Sequence, residues 1–100
     1  MNIVRISNGR VELRKDTGSL IGIIGSGNAV DANVNSDGTL VLITTKHGKV
    51  ELHKASGSLV GIIGSSEAVS AKFSGNDVLI TTSKGKTELR KQSGSLIRII

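Results

Sequence analysis

The sequence predicts an all-β fold: an array of about three four-stranded antiparallel units, closed by association of the chain with itself. Three observations carry this reading. First, one block recurs, as Gly9-Arg-Val-Glu-Leu-Arg-Lys15, Gly48-Lys-Val-Glu-Leu-His-Lys54 and Gly85-Lys-Thr-Glu-Leu-Arg-Lys91, at intervals of 39 and 37 residues. An internal repeat of this length marks a stacked architecture. Second, each unit holds four short apolar runs separated by turn signals, and no run is long enough for a helix. Third, the chain has 13 glycines, no proline and one aromatic residue, so its apolar content is almost wholly Ile, Val, Leu and Ala. β-branched residues with regularly spaced glycine favour strands and tight turns.

The second unit defines the elements. Strand a is expected over 29–35 and strand b over 40–45, joined at Asp37-Gly38, which supplies the positive φ that a tight hairpin needs. Strand c, 49–54, follows the His47-Gly48 turn. Val50 and Leu52 alternate there with Lys49, Glu51 and His53, the period of two expected of a strand. Strand d, 58–64, follows Ser56-Gly57. The same elements return around Val78-Leu-Ile-Thr-Thr82, Lys84-Gly85 and Gly94-Ser-Leu96. Residues 1–27 then hold strands b, c and d of a partial unit, and 28–65 and 66–100 hold full units, all within one domain. The shorter second interval reflects loss of Ser36 and Asp37 at a turn, where changes of length are tolerated.

This order of strands and turns resembles the blades of WD-repeat and related β-propellers, whose four-stranded blades recur at about 40 residues. The likeness is one of pattern: Leu52-His53 stands where the Trp-Asp pair would be. The resemblance implies a non-enzymatic binding or structural module. A β-trefoil, also built of three units of about this length, is the rival architecture. Propellers close with roughly 4–8 blades, and exposed blade faces and edges invite association. The expected remedy is a homodimer with six blades, with a homotrimer as the alternative.

Composition excludes several classes. Without cysteine there is no disulfide and no thiolate metal site, which fits a reducing, cytoplasmic setting. No apolar run approaches the ~18 residues of a membrane helix, and Asn2-Ile-Val-Arg5 lacks the apolar core of a secretory signal. No cofactor or metal is expected.

Several motifs invite chemical readings. Asp16-Thr-Gly-Ser19 resembles the active-site turn of dimeric aspartic proteases, in which two carboxylates share a proton and activate water. The repeat opposes it, because Ala55-Ser-Gly-Ser58 and Gln92-Ser-Gly-Ser95 fill the same slot. Asp31, Asn33, Asn35 and Asp37 alternate like calcium-loop ligands, but Ser36 replaces the required glycine and Leu42 the closing glutamate. Ser83-Lys-Gly-Lys-Thr87 mimics the end of a phosphate loop without its leading glycine, and His47 and His53 lack a partner ligand.

The recurring cations are a stronger signal. Arg10, Lys49 and Lys86 share one repeat position; Arg14, His53 and Arg90 a second; Lys15, Lys54 and Lys91 a third. Repetition would display Arg10, Arg14, Lys15, Lys49, Lys54, Lys86, Arg90 and Lys91 as rows able to meet a polyanion such as nucleic acid. The net charge of +5 permits this. The stretch Asp77-Val-Leu-Ile-Thr-Thr-Ser-Lys-Gly85 is loosely similar to repeats of the DNA-wrapping C-terminal propeller of DNA gyrase. The competing reading is charge pairing, since Glu12, Glu51 and Glu88 lie two residues from Arg14, His53 and Arg90 on the same strand face.

Overall fold

The computed structural model describes residues 2–25, 27–64 and 67–100. Eleven strands run through them and no helix is present. β1 (Asn2–Ser7), β2 (Arg10–Lys15) and β3 (Leu20–Ile24) form one antiparallel sheet in chain order. β4 (Ala29–Val34), β5 (Leu40–Thr45), β6 (Val50–Lys54) and β7 (Leu59–Ile63) form a second. β8 (Ala68–Ser74), β9 (Asp77–Thr82), β10 (Thr87–Arg90) and β11 (Leu96–Ile99) form a third. Each sheet is a simple meander, so strands pair only with their neighbours in sequence. Separate meander sheets packed face to face are blades, and they dismiss the trefoil alternative.

Two apolar layers hold the blades together. Val11, Leu13 and Ile24 of the first sheet meet Ala29, Val41 and Ile43 of the second. Leu42, Val50, Leu52 and Ile63 on the other side of the second sheet meet Ala68, Ala71, Val78 and Ile80 of the third. The pleat explains why one strand serves both layers. On β5, Val41 and Ile43 point towards the first blade and Leu42 towards the third. The middle blade is therefore apolar on both faces of β5, and all six residues of that strand are buried or half-buried.

The repeat is not perfectly uniform in space. Leu13 pairs with Val4, whereas its repeat mate Leu52 pairs with Leu42. Strand β1 is thus displaced by one residue from the 39-residue offset, because its hairpin is one residue shorter. Asn8 and Gly9, with φ of 52° and 78°, make the two-residue turn in which both central residues are left-handed. The later hairpins use a three-residue loop, closed in the second blade by Thr45 N–H to Lys49 O and Gly48 N–H to Thr45 O at 2.8 and 3.0 Å. The displacement places Arg5, not an aliphatic residue, at the site of Ile43.

Candidate functional site: repeated Glu–cation forks and the two turn ends

The second of the repeated cation positions proves to be a structural device. Arg14 Nε donates to Glu12 Oε1 at 3.0 Å and its Nη1 donates to Gly18 O at 2.7 Å. Arg90 reproduces this on Glu88 and Gly94 O, at 2.9 and 2.7 Å. In the middle blade His53 takes the same fork, with Nε2 2.9 Å from Glu51 Oε1 and Nδ1 3.3 Å from Gly57 O. Strand spacing explains the pair: residues two apart share a face, so Glu and Arg at i and i+2 lie side by side. The carbonyl comes from the c–d turn, so each fork ties a strand to the turn that follows it.

The forks of the second and third blades face the preceding blade. A Cβ on Gly25 would stand 4.0 Å from His53 Nε2 and only 2.8 Å from Ile43 Cδ1; one on Gly64 would stand 3.6 Å from Arg90 Nε and 2.8 Å from Ile80 Cδ1. Glycine at the end of β3 and of β7 lets the backbone close over the fork of the next blade. His53 is consequently 6% exposed. The alternation of strand c correctly put His53 opposite Val50 and Leu52, but that second face is buried against the first blade and not a solvated one. A cleft of about 350 Å³ lies over this fork, lined by Gly25, Glu51, His53, Gly57 and Leu59.

The other motifs resolve into scaffold. Asp31 and Asn33 bridge two blades: Asn33 Nδ2 donates to Ala71 O at 2.6 Å and Ala71 N–H donates to Asp31 Oδ2 at 3.3 Å. Asn35 and Asp37 instead shape the a–b turn. Asn35 Oδ1 accepts from Thr39 and Leu40 N–H, and Asp37 Oδ1 accepts the Thr39 hydroxyl at 2.6 Å. The Thr39 bonds hold the Asp37 carboxyl below the usual carboxylate range. The four oxygens therefore do not converge, and no cluster of three potential metal ligands occurs among the described residues. Asp16 sits in a turn closed by Gly18 N–H to Lys15 O at 2.8 Å. The turns holding Ala55 and Gln92 close identically, Gly57 to Lys54 and Gly94 to Lys91, both at 2.9 Å. Ser83 to Lys86 form a β-hairpin turn between β9 and β10, with no helix to receive a phosphate.

The structure sorts the eight recurring cations into three groups. Arg14 and Arg90 are engaged in forks. Arg10, Lys49 and Lys86 leave the b–c hairpins at one end of the blades, and Lys15, Lys54 and Lys91 leave the c–d turns at the other. Hydrogen bonds between turns fix these ends. The a–b and c–d turns meet through Ala55 N–H to Thr39 O, and the b–c and d–a connections meet through Ala29 N–H to Gly9 O and Ser83 N–H to Glu67 O, all 2.9 Å. Sequence reasoning missed Lys46 and Lys84, which have no counterpart in the first unit yet join the b–c end.

No protein-family model and no curated protein matches the chain. Solved structures do. BamB from Moraxella catarrhalis superposes with a TM-score of 0.79 at 18% identity, the Neurospora crassa Pan2 WD40 domain with 0.73 at 14%, and the C-terminal WD40 domain of Sif2 with 0.70 at 16%. Each match covers 99% of this chain and 32% of the other, so the chain spans about a third of these structures. Three meander sheets, two inter-blade cores and these superpositions agree: the chain has the fold of consecutive β-propeller blades, the first of them three-stranded here.

Proposed function

We propose that the chain is a non-enzymatic binding or structural module whose two outer blade faces are closed by further copies of itself, six blades in a homodimer being the preferred ring. The observation that carries this is the state of those faces. The outer face of the first blade presents Ile3, 43% exposed, at the position that fully buried Val41 holds in the second blade. The outer face of the third presents Ile100, 69% exposed, beside half-buried Leu79 and Leu89. By pairing register, Leu79, Leu89 and Ile100 correspond to Leu42, Leu52 and Ile63, each at most 1% exposed between blades two and three. Apolar side chains that are core in one interface are thus laid open in the same geometry at the end. Burying apolar surface contributes about 25 cal/mol per Å², so a blade-sized contact favours association strongly. The propeller fold of the structural neighbours supports a module that binds without catalysis, and the identical turns around Asp16, Ala55 and Gln92 favour a scaffold role for Asp16 over a protease one.

The test is positional. Ile100→Asp places a charge on the outer face, and Asn76→Asp places one at an exposed turn. Sedimentation velocity should show Ile100→Asp shifted towards monomer and Asn76→Asp unchanged. Equal behaviour of both variants would overturn the reading.

A further inference from the structure

The charge of this molecule is polarised between its two turn-bearing ends, which no single repeat reveals. The b–c and d–a end carries Arg10, Lys46, Lys49, Lys84 and Lys86 against one side-chain carboxylate, Glu67. The a–b and c–d end carries Lys15, Lys54, Lys72 and Lys91 against Asp16, Asp37 and Asp77, a near balance. All five cations at the first end are exposed. Among the described residues only Lys84 has a carboxylate in reach, Glu67 at 3.3 Å, which leaves four cations without an opposing charge. We propose that this end, through Arg10, Lys46, Lys49 and Lys86, is a binding surface for the phosphate backbone of double-stranded nucleic acid.

The geometry suits that partner. Sheets packed face to face stand about 10 Å apart, so three hairpin tips span about 20 Å, or roughly six nucleotides at the ~3.4 Å rise per strand. The tips are held in register, because the d–a connections bond to the hairpins: Lys46 N–H to Asn28 O at 2.9 Å and Ala68 N–H to Gly48 O at 3.0 Å. Lys46, Gly48, Glu67 and Ser83 line a groove of about 230 Å³ between the second and third hairpins.

The chemistry also discriminates between partners. Single strands are gripped by stacking on aromatic rings, and Phe73, the only aromatic residue, packs against the core between blades two and three. Insertion into a membrane surface needs apolar side chains among the cations. The tips instead hold Asn8-Gly9, His47-Gly48 and Ser83-Lys84-Gly85, and exposed Val69 lies beside the groove on β8 and not at a tip. A rigid duplex, recognised by charge alone, asks for neither feature. This surface does not depend on how the outer blade faces are closed.

Two triple variants with the same change of net charge test it. One replaces Lys46, Lys49 and Lys86 with Gln; the other replaces Lys15, Lys54 and Lys91 with Gln. Binding to a fluorescent duplex of about 20 base pairs is read by anisotropy between about 50 and 200 mM salt. With four phosphate contacts, wild-type affinity should fall about 150-fold over that range. The Lys46/Lys49/Lys86 variant should bind far more weakly at the lowest salt and lose only about fourfold over the range. The Lys15/Lys54/Lys91 variant should track the wild type. Equal loss in both variants would mean diffuse attraction to net charge and would overturn the proposal. So would absence of wild-type binding at the lowest salt, or binding to phosphatidylserine vesicles without binding to the duplex. Unchanged circular dichroism establishes that each variant is folded.

Discussion

Removing Glu88 should destabilise the protein far more than removing Glu67, although each is half of one ion pair. Glu88 and Arg90 are 12% and 18% exposed, and Gly64 packs over them from the neighbouring blade. Glu88→Ala leaves the guanidinium in that enclosed position with only Gly94 O as an acceptor. A hydrogen bond to a charged group is worth about 1.5–3 kcal/mol, and stranding a buried charge costs about 3–5. Partial exposure places the expected loss near the lower range, about 2–3 kcal/mol. Glu67 and Lys84 are 44% and 68% exposed, and a solvated pair contributes about 0–1 kcal/mol. Urea denaturation at one fixed protein concentration measures both, and fixing the concentration removes any contribution from mass action. A double-mutant cycle with Arg90→Ala should return a coupling energy of at least about 1 kcal/mol. If Glu88→Ala costs no more than Glu67→Ala, the forks do not hold the blades and the structural reading of the repeated Glu is wrong.

Other outcomes follow from single contacts. Gly64→Ala should cost about 1–3 kcal/mol, because φ is +86° and the new methyl lies 2.8 Å from Ile80 Cδ1; denaturation of Gly64→Ala alone and combined with Ile80→Val should show the loss partly relieved in the double variant. Asp37 has its folded-state pKa below 3.8, so its Thr39 bonds add stability above the unfolded pKa and lose it as pH falls through the folded value. Acid titration of Asp37→Asn should therefore show a shallower decline of stability below about pH 4 than wild type. Asp16→Asn should change stability by less than about 0.5 kcal/mol, and wild-type protein should show no acid-dependent peptide cleavage in a fluorogenic assay.

The sequence made the strand order legible because period-two alternation and glycine turns are local signals, each readable within a few residues. The Glu–cation forks were legible for the same reason: residues two apart on a strand share a face. What faced those forks was not, since Gly25 and Gly64 lie 28 and 26 residues from His53 and Arg90, in a neighbouring sheet. The slip of β1 was hidden in a difference of one residue between the Asn8-Gly9 turn and the Lys46-His47-Gly48 loop, which an offset of 39 overlooks. Asp31 and Asn33 read as a ligand series because alternation is common to calcium loops and strands. Only the next blade reveals Ala71 as their partner. The polarity of charge likewise depends on which turns share an end, a property of the meander and of no single repeat.

The reading of the outer blade faces meets its most direct test in sedimentation equilibrium of the 100-residue chain across micromolar concentrations. The account predicts a mass of twice the 10.4 kDa protomer, dissociating only on dilution, with thermal stability rising with concentration. A compact 10.4 kDa monomer whose stability is independent of concentration would contradict it.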